Sequence, residues 1–191
     1  IGDGVIFYLR PIDEMKKTIS KMQSQKNIDV ACQIITCIAH DAENAVNRAK
    51  KTLAFYVSVG EIYRKFLSEN GFKTETENIF NEFKKSGFKS NHELVTDSML
   101  NSLCISGTPE ESKLQLKKFR DVGIDLPIIQ FNPVGDTMES FLLMKKHCWM
   151  NNNVKGWNCC IWNYTIYKRR SKNRNSIAFF SKQTISKKPQ Y

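Results

Sequence analysis

Three stretches of the chain are apolar at nearly every position. They are residues 4–9 (GVIFYL), 28–39 (IDVACQIITCIA) and 126–131 (LPIIQF). Continuous apolar runs of this length are typical of β-strands that are covered on both faces, as strands of parallel sheets are. The second run is rich in Ile and Val, which favour strands. The pattern therefore predicts three buried strands.

Helical spacing follows each of the first two runs. Pro11 suits the first turn of a helix whose apolar residues fall at positions 15, 19 and 22. Asp41 is placed to cap a second, longer helix with apolar positions 42, 45, 49, 53 and 56. We expect Gly60 to bend or break this helix before it continues to Gly71.

Three later segments have a Ser or Thr followed three residues on by Glu, which is the capping-box spacing at helix starts. They begin at Thr74, Ser90 and Thr108. The third is the clearest, because Pro109 occupies the first helical position and Glu111 is the reciprocal partner. Gly87 and Gly123 are placed to end the first and third of these helices.

The order of elements is strand, helix, strand, helical insertion, helix, strand. Short apolar strands separated by helices predict an α/β fold with parallel strands joined by right-handed crossovers. Three strands are too few to close a barrel, and they leave sheet edges open.

Charge divides the chain into two parts. Residues 1–144 contain 18 Lys and Arg against 19 Asp and Glu, whereas residues 145–191 contain 11 against none. The formal charge of +10 therefore comes entirely from the second part. We expect one folded domain over residues 1–144 and a basic, acid-free tail over 145–191.

Two interpretations of the tail are open. It holds all three tryptophans and the run KRRSKNR, and basic residues interleaved with aromatic ones can bind nucleic acid. Its composition is also what AT-rich codons give when they are read out of frame. We favour the second interpretation, a non-native or disordered tail, and expect no nucleic-acid partner unless the tail is genuine.

The cysteines indicate a reducing compartment. Three of the six lie in apolar runs without CxxC spacing, which favours buried thiols and a cytoplasmic protein. The remaining three, with His147, are a weak zinc signal because two of them are adjacent in sequence. No membrane span or metal site is expected, and a homo-oligomer is possible.

Several segments in order resemble the luciferase-like monooxygenase superfamily. They are GDGVI at the front, AVNRAKKTLAFYV in the long helix, NGF after it, and SGTPEE followed by GIDLPIIQ. The resemblance covers residues 1 to about 143 and is nearest to the archaeal branch that includes methylenetetrahydromethanopterin reductase. It implies the last three strands or so of an eight-stranded TIM-type (β/α) barrel with a helical insertion.

The resemblance also implies an oxidoreductase. Members transfer hydride between reduced coenzyme F-420, or FMN, and a carbon substrate such as a methylene-tetrahydropterin, with the cofactor at the carboxyl ends of the barrel strands. An FMN-dependent monooxygenase is the close alternative. Because much of the family's cofactor site comes from the first five strands, we expect this chain alone to be inactive.

Side chains at the carboxyl ends of the three strands are the candidates for binding a cofactor or substrate. They are Tyr8, Arg10, Cys37, His40, Gln130 and Asn132. No catalytic residue is assigned.

Each candidate has a simpler structural interpretation. For Arg10 this is a surface residue beside a helix start, and for His40 a solvated loop residue. Cys37 suits a buried thiol, since no base lies near it in sequence. Gln130 and Asn132 share one face of their strand. Whether that face lines a pocket or packs in the core is an even choice. Tyr56 and Tyr63 are expected to pack in the core.

Overall fold

The computed structural model describes residues 4–25, 28–149 and 160–161. Within them, one sheet of parallel strands contains the three predicted strands side by side in chain order. The α/β class with a parallel sheet is therefore confirmed. The strands are β1 (Gly4–Tyr8), β2 (Asp29–Ile38), β3 (Cys104–Gly107), β4 (Leu126–Phe131) and β5 (Cys160–Ile161).

Strand β3 is an element that the apolar pattern did not predict. It pairs with residues 35–38 of β2, while β4 pairs with residues 31–36. Because β3 and β4 share two β2 residues, they must lie on opposite edges of β2. The same overlap places β1, which pairs with residues 29–33, on the edge that β3 occupies. Strand β3 therefore continues this edge of the sheet beyond the carboxyl end of β1.

Helices connect the strands and fill the insertion. They are α1 (Ile12–Gln23), α2 (Ala42–Val59), α3 (Glu61–Leu67), α4 (Lys73–Ser86), α5 (Asp97–Leu103), α6 (Pro109–Asp121) and α7 (Thr137–Trp149). The predicted cap of α2 is present, since the Asp41 carboxylate accepts from the Glu43 backbone N–H at 2.9 Å. Gly60 separates α2 from α3, as expected. Gly71, with a φ of 100°, lies in the kink before α4 in a conformation that favours glycine.

The three predicted capping boxes have different outcomes. At Thr108 the box is complete, with Pro109 as the first helical residue and Glu111 bonded back to the cap. The prediction at Thr74 is wrong, because α4 already begins at Lys73 and no side chain caps it. The prediction at Ser90 is also wrong, since a single 3₁₀ turn without a side-chain cap follows it. Helix α5 is capped instead by Thr96, whose hydroxyl accepts from the Met99 N–H.

Two helical layers cover the sheet. Helices α1 and α6 pack with Phe7, Cys32 and Ile34 against one face, and α7 joins them around Ile129. The insertion α2–α5 packs against the other face at Ile35 and Cys37. The insertion thereby covers the carboxyl half of the second face, where the candidate residues lie.

The outer strand of that second face, β1, is exposed at its amino end. Ile6 lies two residues before Tyr8, on the same face of β1, and is 69% exposed. The outer edge of β1 pairs with no further strand among the residues described. An apolar side chain and a strand edge are therefore exposed together.

Most of the expected tail, residues 150–159 and 162–191, lies outside the described residues, so its nature stays a prediction. Helix α7 crosses the expected boundary at residue 144. No helix in the described part of the chain is long and apolar enough to cross a membrane.

Candidate functional site

A cavity of about 440 Å³ lies between α2, the segment after α4 and the carboxyl end of β4. Its volume is within the range of roughly 300–1,000 Å³ that is usual for small-molecule sites. Parallel strands present their carboxyl ends at one edge of a sheet, where α/β proteins commonly bind ligands. Ten described residues line it: Arg48, Lys51, Thr52, Phe55, Tyr56, Phe88, Asn91, His92, Gln130 and Asn132.

Gln130 is the centre of the hydrogen-bond network beneath the cavity. Its Oε1 accepts from the Tyr8 hydroxyl at 2.8 Å and, more weakly, from Gln33 Nε2 at 3.4 Å. Its Nε2 donates to the Tyr56 hydroxyl oxygen at 3.2 Å. Because both ends of the amide are hydrogen-bonded, the side chain is held in place between the two tyrosines. Two predicted residues, Tyr8 and Gln130, are thus in direct contact across β1, β2 and β4.

Asn132, the residue directly after β4, forms the floor of the cavity together with Gln130. Its backbone N–H donates to the Thr36 carbonyl, which extends the β2–β4 pairing. Its side-chain Nδ2 donates to the Gln130 carbonyl at 2.9 Å, and its Oδ1 lies 3.4 Å from the Thr52 hydroxyl. Gln130 and Asn132 both line the cavity, so their shared face looks into a pocket.

Three tyrosines form a ring cluster under this floor. Tyr8, Tyr56 and Tyr63 meet edge to face, with ring centroids 5.5 to 5.8 Å apart. Burial raises the pKa of Tyr8 well above its ordinary value, and the adjacent Tyr56 raises it further. The Tyr8 hydroxyl is therefore a stable donor to Gln130. The expected packing of Tyr56 and Tyr63 against the core is confirmed, and Tyr56 also reaches the cavity.

Arg10 does not line this cavity. Its guanidinium pairs with Glu14 at 2.9 Å and lies over the Phe66 ring, 4.3 Å from the centroid. These contacts join the start of α1 to the insertion. The geometry agrees with the interpretation of Arg10 as a residue beside a helix start.

Cys37 is fully buried in the core between β2 and the insertion. Burial raises the pKa of its thiol to about 12, although the nearby Arg48 charge opposes the shift. A neutral thiol without solvent access is a poor nucleophile. The geometry agrees with a packing role.

His40 lies in a different depression. It is exposed and lines a second cavity of about 350 Å³ with Asn44, Asp136 and Glu139, between the carboxyl end of β2 and the start of α7. Asp136 there caps α7 by accepting from two backbone N–H groups. The structure therefore gathers Tyr8, Gln130 and Asn132 and leaves Arg10, Cys37 and His40 apart from them.

Eight cavity residues were not among the sequence candidates. Five belong to one face of α2, at positions 48, 51, 52, 55 and 56, and three follow α4, at positions 88, 91 and 92. The spacing of three and four residues on α2 was available in the sequence. The contact of the post-α4 segment with that face was not, because it depends on the kink at Gly71 and on the buried Asn91, whose Nδ2 donates to Ser58 Oγ.

Comparison with known proteins identifies the family of this chain. The family model described as luciferase-like monooxygenase matches residues 1–126. The chain belongs to this family. The resemblance to a superfamily of oxidoreductases is thus confirmed.

One solved structure with a similar fold comes from the archaeal reductase branch. It is the coenzyme F-420-dependent tetrahydromethanopterin reductase from Methanopyrus kandleri, with a TM-score of 0.62 and 18% sequence identity. The match covers 77% of this chain and 44% of the reductase chain. At this identity the similarity shows the fold, and the chain spans less than half the length of that relative.

Proposed function

We propose that this chain is the C-terminal part of a TIM-type (β/α) barrel oxidoreductase that transfers hydride between reduced coenzyme F-420 and a methylene-tetrahydropterin. Membership of the luciferase-like family over residues 1–126 carries this proposal. Similarity of fold to an F-420-dependent reductase favours the deazaflavin over FMN. The cavity at the carboxyl end of β4 supports it, since barrel enzymes bind their reactants on that side.

The open edge of the sheet supports the partial-barrel assignment. Strands β1, β2 and β4 are neighbours in space in chain order, as barrel strands are, while the short β3 lies off this path. Beyond β1 the edge is unpaired among the described residues, and the nearby Ile6 is 69% exposed. Further strands added at β1 would pair that edge and bury that side chain.

The cavity residues fit a flavin-like group. Reduced F-420, when bound, supplies a hydride to an electrophilic carbon of the substrate. The amide floor offers hydrogen-bond partners at Asn132 and Tyr56, and Gln130 is held rigidly beneath them by Tyr8. We propose that these residues form hydrogen bonds with a polar edge of the cofactor ring and thereby orient the ring. Helix α2 and the Phe88 segment limit the access of water from two sides.

An FMN-dependent monooxygenase is the alternative within the family. The same floor suits a flavin ring, because the ring edges of both cofactors carry amide-like groups. The two activities differ in their co-substrate, a reduced deazaflavin and a pterin in one case, reduced FMN and oxygen in the other.

Location and partners are also part of the proposal. Cys32, Cys37 and Cys104 are free and buried, which supports a reducing, cytoplasmic compartment. A small molecule is the proposed partner. Nucleic acid would become one if residues 145–191 prove to be genuine coding sequence.

The test begins with the coding DNA upstream of Ile1 and across codons 140–191. The reading frame recovered there is expressed and mixed with reduced F-420 and methylene-tetrahydromethanopterin. We expect oxidised F-420 to appear, as followed by its visible absorbance, and the protein to cause no oxygen consumption with reduced FMN beyond the spontaneous autoxidation of that flavin. The 191-residue chain is expected to show neither activity. Oxygen-dependent turnover with FMN would replace the proposal by the alternative, and no turnover with either cofactor would refute both.

A further inference from the structure

Helix α2 presents two different faces. Ala45, Ala49 and Leu53 are fully buried in the core. On the adjacent face of the helix Arg48, Lys51, Thr52 and Phe55 all line the cavity. The helix therefore places two cations and an aromatic ring along one rim of the site.

The positive charge at this rim is not neutralised within the described part of the chain. None of the ten lining residues is acidic. Neighbouring cations elsewhere do find carboxylates, as Lys50 does with Asp97 at 3.3 Å. Arg48 and Lys51 have no such ion pair among the described residues. The rim is therefore suited to an anion, and a phosphate or carboxylate matches the guanidinium of Arg48 in particular.

The rim also exposes two large aromatic side chains. Phe55 is 46% and Phe88 50% exposed, and their ring centroids are 5.6 Å apart with an interplanar angle of 32°. Phe88 is supported from behind by Phe83, at 4.7 Å. Exposed rings that are held in place beside a cavity offer a stacking surface for a planar ligand.

We propose that the α2 rim is a subsite for an anionic, planar heteroaromatic ligand. Arg48 and Lys51 bind its phosphate or carboxylate, and Phe55 with Phe88 receives its ring. The proposal rests on the proposed function, because it names the ligand chemistry of the same cavity. Both cofactor and substrate of that reaction could supply this chemistry, the first as a flavin-like phosphate and the second as a pterin with an acidic tail.

Equilibrium dialysis of the 191-residue chain tests the proposal with two pairs of probes. FMN and riboflavin share a ring and differ in the phosphate, while folate and 6-methylpterin share a ring and differ in the carboxylate-bearing tail. We expect one anionic probe to bind about fivefold to tenfold more tightly than its neutral counterpart, a factor that two partly exposed ion pairs can supply. A preference within the flavin pair assigns the subsite to the cofactor, and one within the pterin pair to the substrate.

Variants then attribute the preference to the rim. In the double variant Arg48→Gln/Lys51→Gln the anionic probe should bind no better than the neutral one. Phe55→Ala should weaken both members of the preferred pair about fivefold. Lys118→Gln, on the exposed side of α6, is the matched control and should leave every affinity unchanged. The unfolding midpoint of each variant verifies that it is folded.

The possible outcomes separate this proposal from the function on which it rests. Equal binding of charged and neutral probes, or a preference that survives the double substitution, overturns the subsite. An anion preference that the double variant abolishes supports the subsite even if the full reading frame transfers no hydride. Hydride transfer by the full reading frame without any effect of the double variant on binding would leave the function standing and remove the subsite.

Discussion

The orientation of Gln130 is set by Tyr8, and this contact offers the most direct residue-level test of the site floor. In Tyr8→Phe the Gln130 Oε1 keeps only the long bond from Gln33 among its described donors. We expect a loss of about 1–2 kcal/mol in the free energy of unfolding, because a buried acceptor loses its better donor. Urea denaturation measures this loss.

Tyr63→Phe is the matched control for that substitution. Tyr63 belongs to the same ring cluster, yet its hydroxyl makes no hydrogen bond with the residues that the structure describes. Its removal should change the stability little. Equal losses in the two variants would mean that ring packing, and not the Gln130 bond, is what Tyr8 contributes.

The buried thiols provide a second prediction at this scale. With pKa values of about 12, Cys32 and Cys37 are almost fully protonated near neutrality, so about one thiol in 10⁴ is ionised at pH 8. We expect iodoacetamide to leave both unmodified in the native chain and to alkylate both in urea. Mass spectrometry of tryptic peptides locates the modified residues.

The same pKa shift fixes a direction for stability. Because the folded pKa lies above that of an unfolded thiol, the unfolded chain loses its protons first as the pH rises. The contribution of these thiols to stability is complete below about pH 8.5 and declines between there and pH 12. Rapid native alkylation at pH 8 would contradict the burial on which this argument depends.

At the scale of elements, the start of α6 is the feature that the sequence specifies most completely. Thr108 and Glu111 bond reciprocally, and Gly107, with a φ of 134°, leaves no room for a Cβ beside the Glu111 carboxylate. We expect Thr108→Ala to cost about 1 kcal/mol of unfolding free energy. The comparison variant is Thr74→Ala, inside α4, which should be neutral or slightly stabilising because alanine favours helix interiors. A larger loss at Thr74 than at Thr108 would contradict the observed helix starts.

These two threonines also illustrate how far local patterns predict this fold. Asp41 and Thr108 were recognised correctly, since each directly precedes its helix and the signal is local. The box at Thr74 failed because the kink at Gly71 lets the helix start at Lys73, two residues before the start that a Thr74 cap predicts. Strand β3 was missed because four residues that follow a helix without a break carry no strand pattern of their own.

The candidate site likewise contains residues that local patterns predicted and residues that they did not. Gln130 and Asn132 were predicted from the two-residue period of a strand that ends at a sheet edge. Arg48 and Phe55 were not, because a polar stripe on a helix is ordinarily solvated. What makes it a cavity wall is the contact of Phe88 with Phe55, a contact between residues that are 33 positions apart.

At the scale of the whole molecule, the exposed β1 edge has a consequence for association. The chain presents the open β1 edge and Ile6, and such surfaces drive self-association. We expect the sedimentation coefficient of the 191-residue chain to rise with concentration, and Ile6→Lys to reduce this rise. Leu114→Lys, at an equally exposed position on α6, is the control and should leave association unchanged.

In a longer protein the same substitution, Ile6→Lys, is expected to have a different effect, on stability. If additional strands cover β1, Ile6 becomes buried, and lysine there should lower the free energy of unfolding by several kcal/mol. A neutral effect in the longer protein would contradict the partial-barrel assignment.

Hydride transfer by the complete reading frame that contains this chain is the most direct test of the proposed function. We expect reduced F-420 to be oxidised when methylene-tetrahydromethanopterin is added, and the reaction to stop when the pterin is omitted. No F-420 oxidation by a folded protein that contains these residues would contradict the proposed function.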